Sequence, residues 1–115
     1  MPLINVITSA KSSNGNDEIL KLLSSQLART LSKPEGYVMT MIQTNQQMTF
    51  AGDTSPSCYI EVKSIGSLDN NNIKELSTLI CKIIEENLGV SQNRIYISFE
   101  DVPARAWGWN GSTFG

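Results

Sequence analysis

A chain of 115 residues, 40% hydrophobic and 17% charged, carries enough apolar side chains for one core and too little charge for a disordered chain. Its formal net charge of −2, with no run of Lys or Arg, leaves no electrostatic footprint for nucleic acid or an anionic membrane. No apolar stretch is long enough to cross a bilayer and the N-terminus lacks the regions of a signal peptide, so the cytoplasm is the expected location.

Residues 1–115 read as a single domain. "LINVI" is a short β-branched run, expected as a strand buried on both faces. "SSNGND" signals a loop, with Asp17 the expected N-cap of the helix that follows. Ile19, Leu23, Leu27 and Leu31 recur every four residues, the stripe of an amphipathic helix that Pro34 and Gly36 close. "YVMTMI" is expected as a second strand, from Tyr37 to Ile42.

A polar loop then leads to "CYIEVKSI", where Cys58, Ile60 and Val62 alternate with Tyr59, Glu61 and Lys63. "LDNNN" supplies Asx-type caps. Ile73, Leu76, Ile80, Ile83, Ile84 and Leu88 trace a second helix, stopped by Gly89. "RIYISF" is the last expected strand, and Tyr96 points to the sheet face opposite Ile95 and Ile97.

The order strand–helix–strand, loop, strand–helix–strand predicts an α/β fold. Two βαβ units build a four-stranded mixed sheet with both helices on one face. The other face is expected to be apolar and covered by oligomerisation, with a ligand site at the subunit boundary. The tail "VPARAWGWNGSTFG", holding both tryptophans, is expected to pack against a neighbouring subunit.

Histidine is absent, which removes the commonest general base near neutral pH and the commonest metal ligand. Cys58 and Cys81 form no metal or redox motif, so neither a metal nor a cofactor is expected. The second residue offers another base. Removal of Met1 before the small Pro2 leaves a secondary amine fixed in a ring. An exposed α-amino group titrates at roughly 7.7–8.0, and burial or a nearby cation such as Lys33 lowers that value. A base so poised suits proton transfer beside a carbonyl.

"PLINV", "SKPEGYVMT", "MTFAG", "SIGSL", "NRIYISFEDV" and "GWNGSTFG", in order over nearly the whole chain, resemble the macrophage migration inhibitory factor family. The resemblance implies the tautomerase-superfamily fold, a homotrimer with an active site at each subunit interface. It implies a catalytic N-terminal proline, here Pro2, and keto–enol isomerisation of phenylpyruvate or p-hydroxyphenylpyruvate. Lys33 would pair with the substrate carboxylate, and the backbone N–H of Ile65 would meet a substrate oxygen. Tyr37, Tyr96, Trp107 and Phe114 would wall the aromatic part, with Tyr96 supplied by the adjacent subunit.

Three pocket-rim positions depart from the vertebrate pattern: Lys63 for a usual histidine, Ser98 for asparagine and Trp107 for a small aliphatic residue. They bear on substrate preference, and L-dopachrome isomerase activity is expected to be the weaker one. The vertebrate Cys-Ala-Leu-Cys motif is replaced by "SCYI", so no thiol oxidoreductase activity carries over. The alternative function is a secreted, cytokine-like ligand of a cell-surface receptor, exported without a signal peptide. Dehalogenation or hydration of an unsaturated acid on the same scaffold ranks below both, since Arg105 alone offers the extra cation.

Overall fold

In a computed structural model that describes residues 1–11 and 15–115, β1 (Leu3–Thr8) lies inside a four-stranded sheet. Helix α1 (Asn16–Leu31) leads to β2 (Met39–Gln43), which pairs parallel with β1. Strand β3 (Cys58–Ser64) pairs antiparallel with β1, and α2 (Asn70–Leu88) leads to β4 (Ile95–Asp101), parallel to β3. The order β2-β1-β3-β4 makes the expected pair of βαβ units, joined at the β1–β3 seam.

Period-two alternation decides which side each strand buries. Ile4 and Val6 from β1 and Ile60 and Val62 from β3 are wholly enclosed with Leu23, Leu27 and Leu31 of α1 and Leu76, Ile80 and Ile84 of α2. Each such aliphatic side chain contributes about 1.5–3 kcal/mol through burial. Both helices therefore cover one face of the sheet.

The opposite face departs from expectation. Leu3 and Ile7 share it with Asn5, Glu61, Lys63, Ser98 and Glu100, so in one chain β1 is fully buried on its helix side alone. This surface is amphiphilic and hydrogen-bonded: Gln43 Nε2 donates to Asn5 Oδ1 at 3.3 Å, and the Tyr59 and Ser98 hydroxyls lie 2.9 Å apart. Met39 and Tyr96 stand exposed among these polar groups.

Local chemistry sets the element ends. Asp69 caps α2 by accepting from the Asn72 N–H at 2.8 Å, and Gly89 ends it in the left-handed region at φ 68°. The N-cap of α1 is Gly15, not Asp17; Asp17 and Glu18 occupy the first turn, where carboxylates favour the helix dipole. The loop expected over residues 12–17 lies partly outside the described residues. Tyr37 belongs to a 3₁₀ turn (Glu35–Tyr37) that follows Pro34, so β2 starts later than the apolar run suggests.

The tail folds back on its own chain. A 3₁₀ turn (Ala104–Ala106) precedes a two-stranded hairpin, β5 (Gly108–Trp109) with β6 (Ser112–Thr113). Asn110 and Gly111 join the strands with φ of 52° and 78°, the left-handed pair a type I′ hairpin needs.

Candidate active site

Pro2 is buried immediately before β1, and its carbonyl oxygen accepts from the Met39 N–H at 3.1 Å. A backbone hydrogen bond beside the β1–β2 ladder thus anchors the main chain at this residue. Beside it opens a cavity of about 620 Å³, lined by Met1, Pro2, Tyr37, Trp107, Trp109 and Phe114 together with Lys63 and Glu100. That volume lies within the range of about 300–1,000 Å³ usual for small-molecule sites.

The aromatic wall is a connected set. Trp109 stacks on Phe114 with centroids 5.5 Å apart and planes 13° from parallel, and Tyr37 meets both rings edge-on at 5.8 and 6.2 Å. Such pairs hold one another in place beyond their area burial. The hairpin brings Trp109 here, and the Phe114 N–H donates to the Trp107 carbonyl at 3.1 Å.

The charge environment favours a neutral amine. The Met1 ammonium is held below its ordinary range, first by partial burial and second by the positive charge of Lys33. With Met1 in place the Pro2 nitrogen is an amide without basicity. Removal of Met1 turns it into a secondary amine at a more deeply buried position.

The expected site residues fall into three groups. Pro2, Tyr37, Trp107 and Phe114 meet at the cavity. Lys33 lies outside the lining, where its Nζ donates to the Ile65 carbonyl oxygen at 3.0 Å, which places these two together. Tyr96 and Ser98 stand elsewhere. Tyr96 is registered with Tyr59 and Ile7, four residues along the sheet from the Leu3–Lys63–Glu100 row, about 13 Å at 3.3 Å per residue. It is 66% exposed, packs on Phe50 at 4.8 Å and borders a second cavity with Cys58. Ser98 is engaged with Tyr59. Within one chain, then, Tyr96 and Ser98 do not reach the Pro2 cavity.

Trp109 and Glu100 are among the lining residues absent from the sequence expectations. The Asn-Gly dipeptide after Trp109 is a hairpin signal that would have turned this ring back toward Phe114. Glu100 follows Phe99, where the last strand was expected to stop, and the strand in fact continues to Asp101. Arg105 is exposed and is not part of the lining. Among the described residues no cluster of potential metal ligands occurs and no helix is long and apolar enough to cross a membrane.

A family model described as macrophage migration inhibitory factor matches residues 1–115. The chain is 57% identical to the macrophage migration inhibitory factor homologue from Prochlorococcus marinus, whose crystal structure superposes with a TM-score of 0.97 over 98% of this chain and 99% of that one. It is 35% identical over 114 residues, 99% of each chain, to macrophage migration inhibitory factor of Meriones unguiculatus. The Trichinella spiralis structure is 31% identical with a TM-score of 0.91, covering 97% of this chain and 99% of that one. The chain belongs to the macrophage migration inhibitory factor family, within the tautomerase superfamily.

Proposed function

We propose that this protein is a phenylpyruvate tautomerase that uses Pro2, after loss of Met1, as its general base and acid. Membership of a superfamily associated with isomerase activity supports the reaction class. The observation that carries the reading is a buried proline at the chain start, opening on a cavity walled by Tyr37, Trp109 and Phe114.

In the ketonisation direction the neutral Pro2 amine takes the enol hydroxyl proton. The same nitrogen, now an ammonium, returns a proton to C3, so proton count and charge balance over the cycle. Burial and Lys33 keep the amine neutral in the resting state, the same causes that depress the Met1 amine. Lys33 pairs with the substrate carboxylate by exchanging its Ile65 carbonyl contact, and the Ile65 N–H meets a substrate oxygen. The phenyl ring lies against Tyr37, Trp107, Trp109 and Phe114.

The functional unit in this reading is a homotrimer. Tyr96, exposed and remote from its own cavity, is then offered to the neighbour's, with Ser98 beside it. p-Hydroxyphenylpyruvate is accepted in the same way, and L-dopachrome, a bulkier substrate, more weakly because Trp107 narrows the wall. The animal relatives' name, macrophage migration inhibitory factor, supports a second reading, a signalling protein.

The test is ultraviolet detection of phenylenolpyruvate ketonisation by protein whose loss of Met1 is verified by mass spectrometry. The wild type should accelerate the reaction, and Pro2→Gly should lose at least a hundredfold. Equal rates in the two proteins would defeat the proposal.

A further inference from the structure

Lys63 and Glu100 are the two charged side chains in a cavity otherwise walled by aromatic, aliphatic and glycine residues. Their position follows from register. Leu3, the residue after Pro2, pairs with Lys63 on β3, and Lys63 pairs with Glu100 on β4, all on the sheet face away from the helices. Lys63 therefore stands one strand spacing, about 5 Å, from the backbone that holds Pro2.

The pair is loosely made. Lys63 Nζ lies 3.7 Å from Glu100 Oε2, beyond the roughly 2.7–2.9 Å of a charge-assisted hydrogen bond. The two side chains are 41% and 64% exposed, and ion pairs in that setting contribute little to stability. An anion that reaches Lys63 at hydrogen-bond length replaces Glu100 at small cost. Lys33 is held apart from this pair, on the Ile65 carbonyl outside the lining. Two cations thus serve the region from two directions, one more than a monocarboxylate needs.

We infer that Lys63 is a specificity-determining residue that binds a second carboxylate, so that the preferred substrates are 2-keto acids bearing an additional anionic group, with Glu100 as the resident competitor for the same ammonium. This rests on the tautomerase reading of the Pro2 cavity. Lys63 acts on binding and not on the proton transfer, so its contribution appears in KM. Removal of the Glu100 charge strengthens the preference because the ammonium no longer has a rival partner.

The experiment compares phenylpyruvate with its 3-carboxy analogue as substrates of the Met1-free wild type, Lys63→Met, Lys63→Arg and Glu100→Gln, with circular dichroism confirming the fold of each. The wild type should favour the diacid. The ratio of the two kcat/KM values should fall about tenfold in Lys63→Met through KM, return in Lys63→Arg and rise in Glu100→Gln. A ratio unmoved by Lys63→Met, or an equal loss on both substrates, overturns the inference. NMR titrations with phenylacetate and 3-carboxyphenylacetate apply the same criterion to affinity without turnover. If the wild type turns over neither keto acid the tautomerase reading fails, and the titration alone then decides whether Lys63 selects a second carboxylate.

Discussion

The Nζ of Lys33 donates to the carbonyl oxygen of Ile65 at 3.0 Å, tying the segment after α1 to the end of β3. This link places the lysine close enough to the chain start to depress the Met1 amine, while leaving it outside the cavity lining. In the proposed reaction Lys33 would have two separable effects, one on substrate affinity and one on the basicity of the terminal amine.

Lys33→Met should therefore change two observables. Loss of a charge-assisted contact of roughly 1.5–3 kcal/mol lowers kcat/KM for phenylpyruvate by about 10- to 150-fold. The amine is a base only when neutral, so kcat/KM falls as pH drops through its pKa. Lys33 lowers that pKa, and its removal moves the acid limb of the pH profile upward. An acid limb that stays in place would separate Lys33 from the amine.

Trp109→Ala should raise KM for phenylpyruvate about tenfold with a small change in Tm. The indole is 54% exposed and its two ring contacts are each worth about 0.5–1.5 kcal/mol, so the wall weakens more than the fold. Steady-state kinetics and a thermal melt on the same sample check this. A large fall in Tm with unchanged KM would make Trp109 a structural residue.

Asp69→Ala should destabilise the protein by about 0.5–2 kcal/mol in urea unfolding, because the Asn72 N–H loses its cap. Asp17→Ala should cost less, about 0.3–1 kcal/mol, since Asp17 interacts with the helix dipole without capping it.

Cys58 should resist alkylation by iodoacetamide at pH 8 in the native protein. Burial pushes its thiol up to about 12, and so little thiolate exists at that pH. Cys81 is half-buried and also raised, by burial and then by the Glu85 carboxylate, yet it should label first. Peptide mass spectrometry of timed samples reads the order, and preferential labelling of Cys58 would contradict it.

The architecture was legible because its signals are local. Ile19, Leu23, Leu27 and Leu31 are all buried on α1, and the alternation of Cys58, Ile60 and Val62 matches the covered side of β3. Gly89 ends α2 as its lack of a Cβ permits. Less legible was anything set by competition between neighbours. Asp17 lost the cap to Gly15, and Tyr37 was drawn from an apolar run into a turn by Pro34. The character of the uncovered sheet face depends on register: Asn5, Glu61 and Ser98 read as polar alternation along each strand and become a hydrogen-bonded surface only when the strands are paired.

The site divides in the same way. Pro2, Tyr37, Trp107 and Phe114 could be named from motifs, and the fold gathers them. Trp109 needed the Asn110-Gly111 turn to be read as a hairpin, and Glu100 needed the true end of β4. Tyr96 and Ser98 lie away from the Pro2 cavity within one chain, a placement set by strand register and by no local motif.

The central claim is that Pro2 carries a neutral ring amine at working pH, and the most direct measurement is a ¹⁵N NMR titration of proline-labelled, Met1-free protein. The Pro2 nitrogen should titrate below the roughly 7.7–8.0 of an exposed α-amine, with a midpoint that coincides with the acid limb of kcat/KM. A pKa at or above that range, or a midpoint unrelated to the rate, would contradict the assignment of Pro2 as the base.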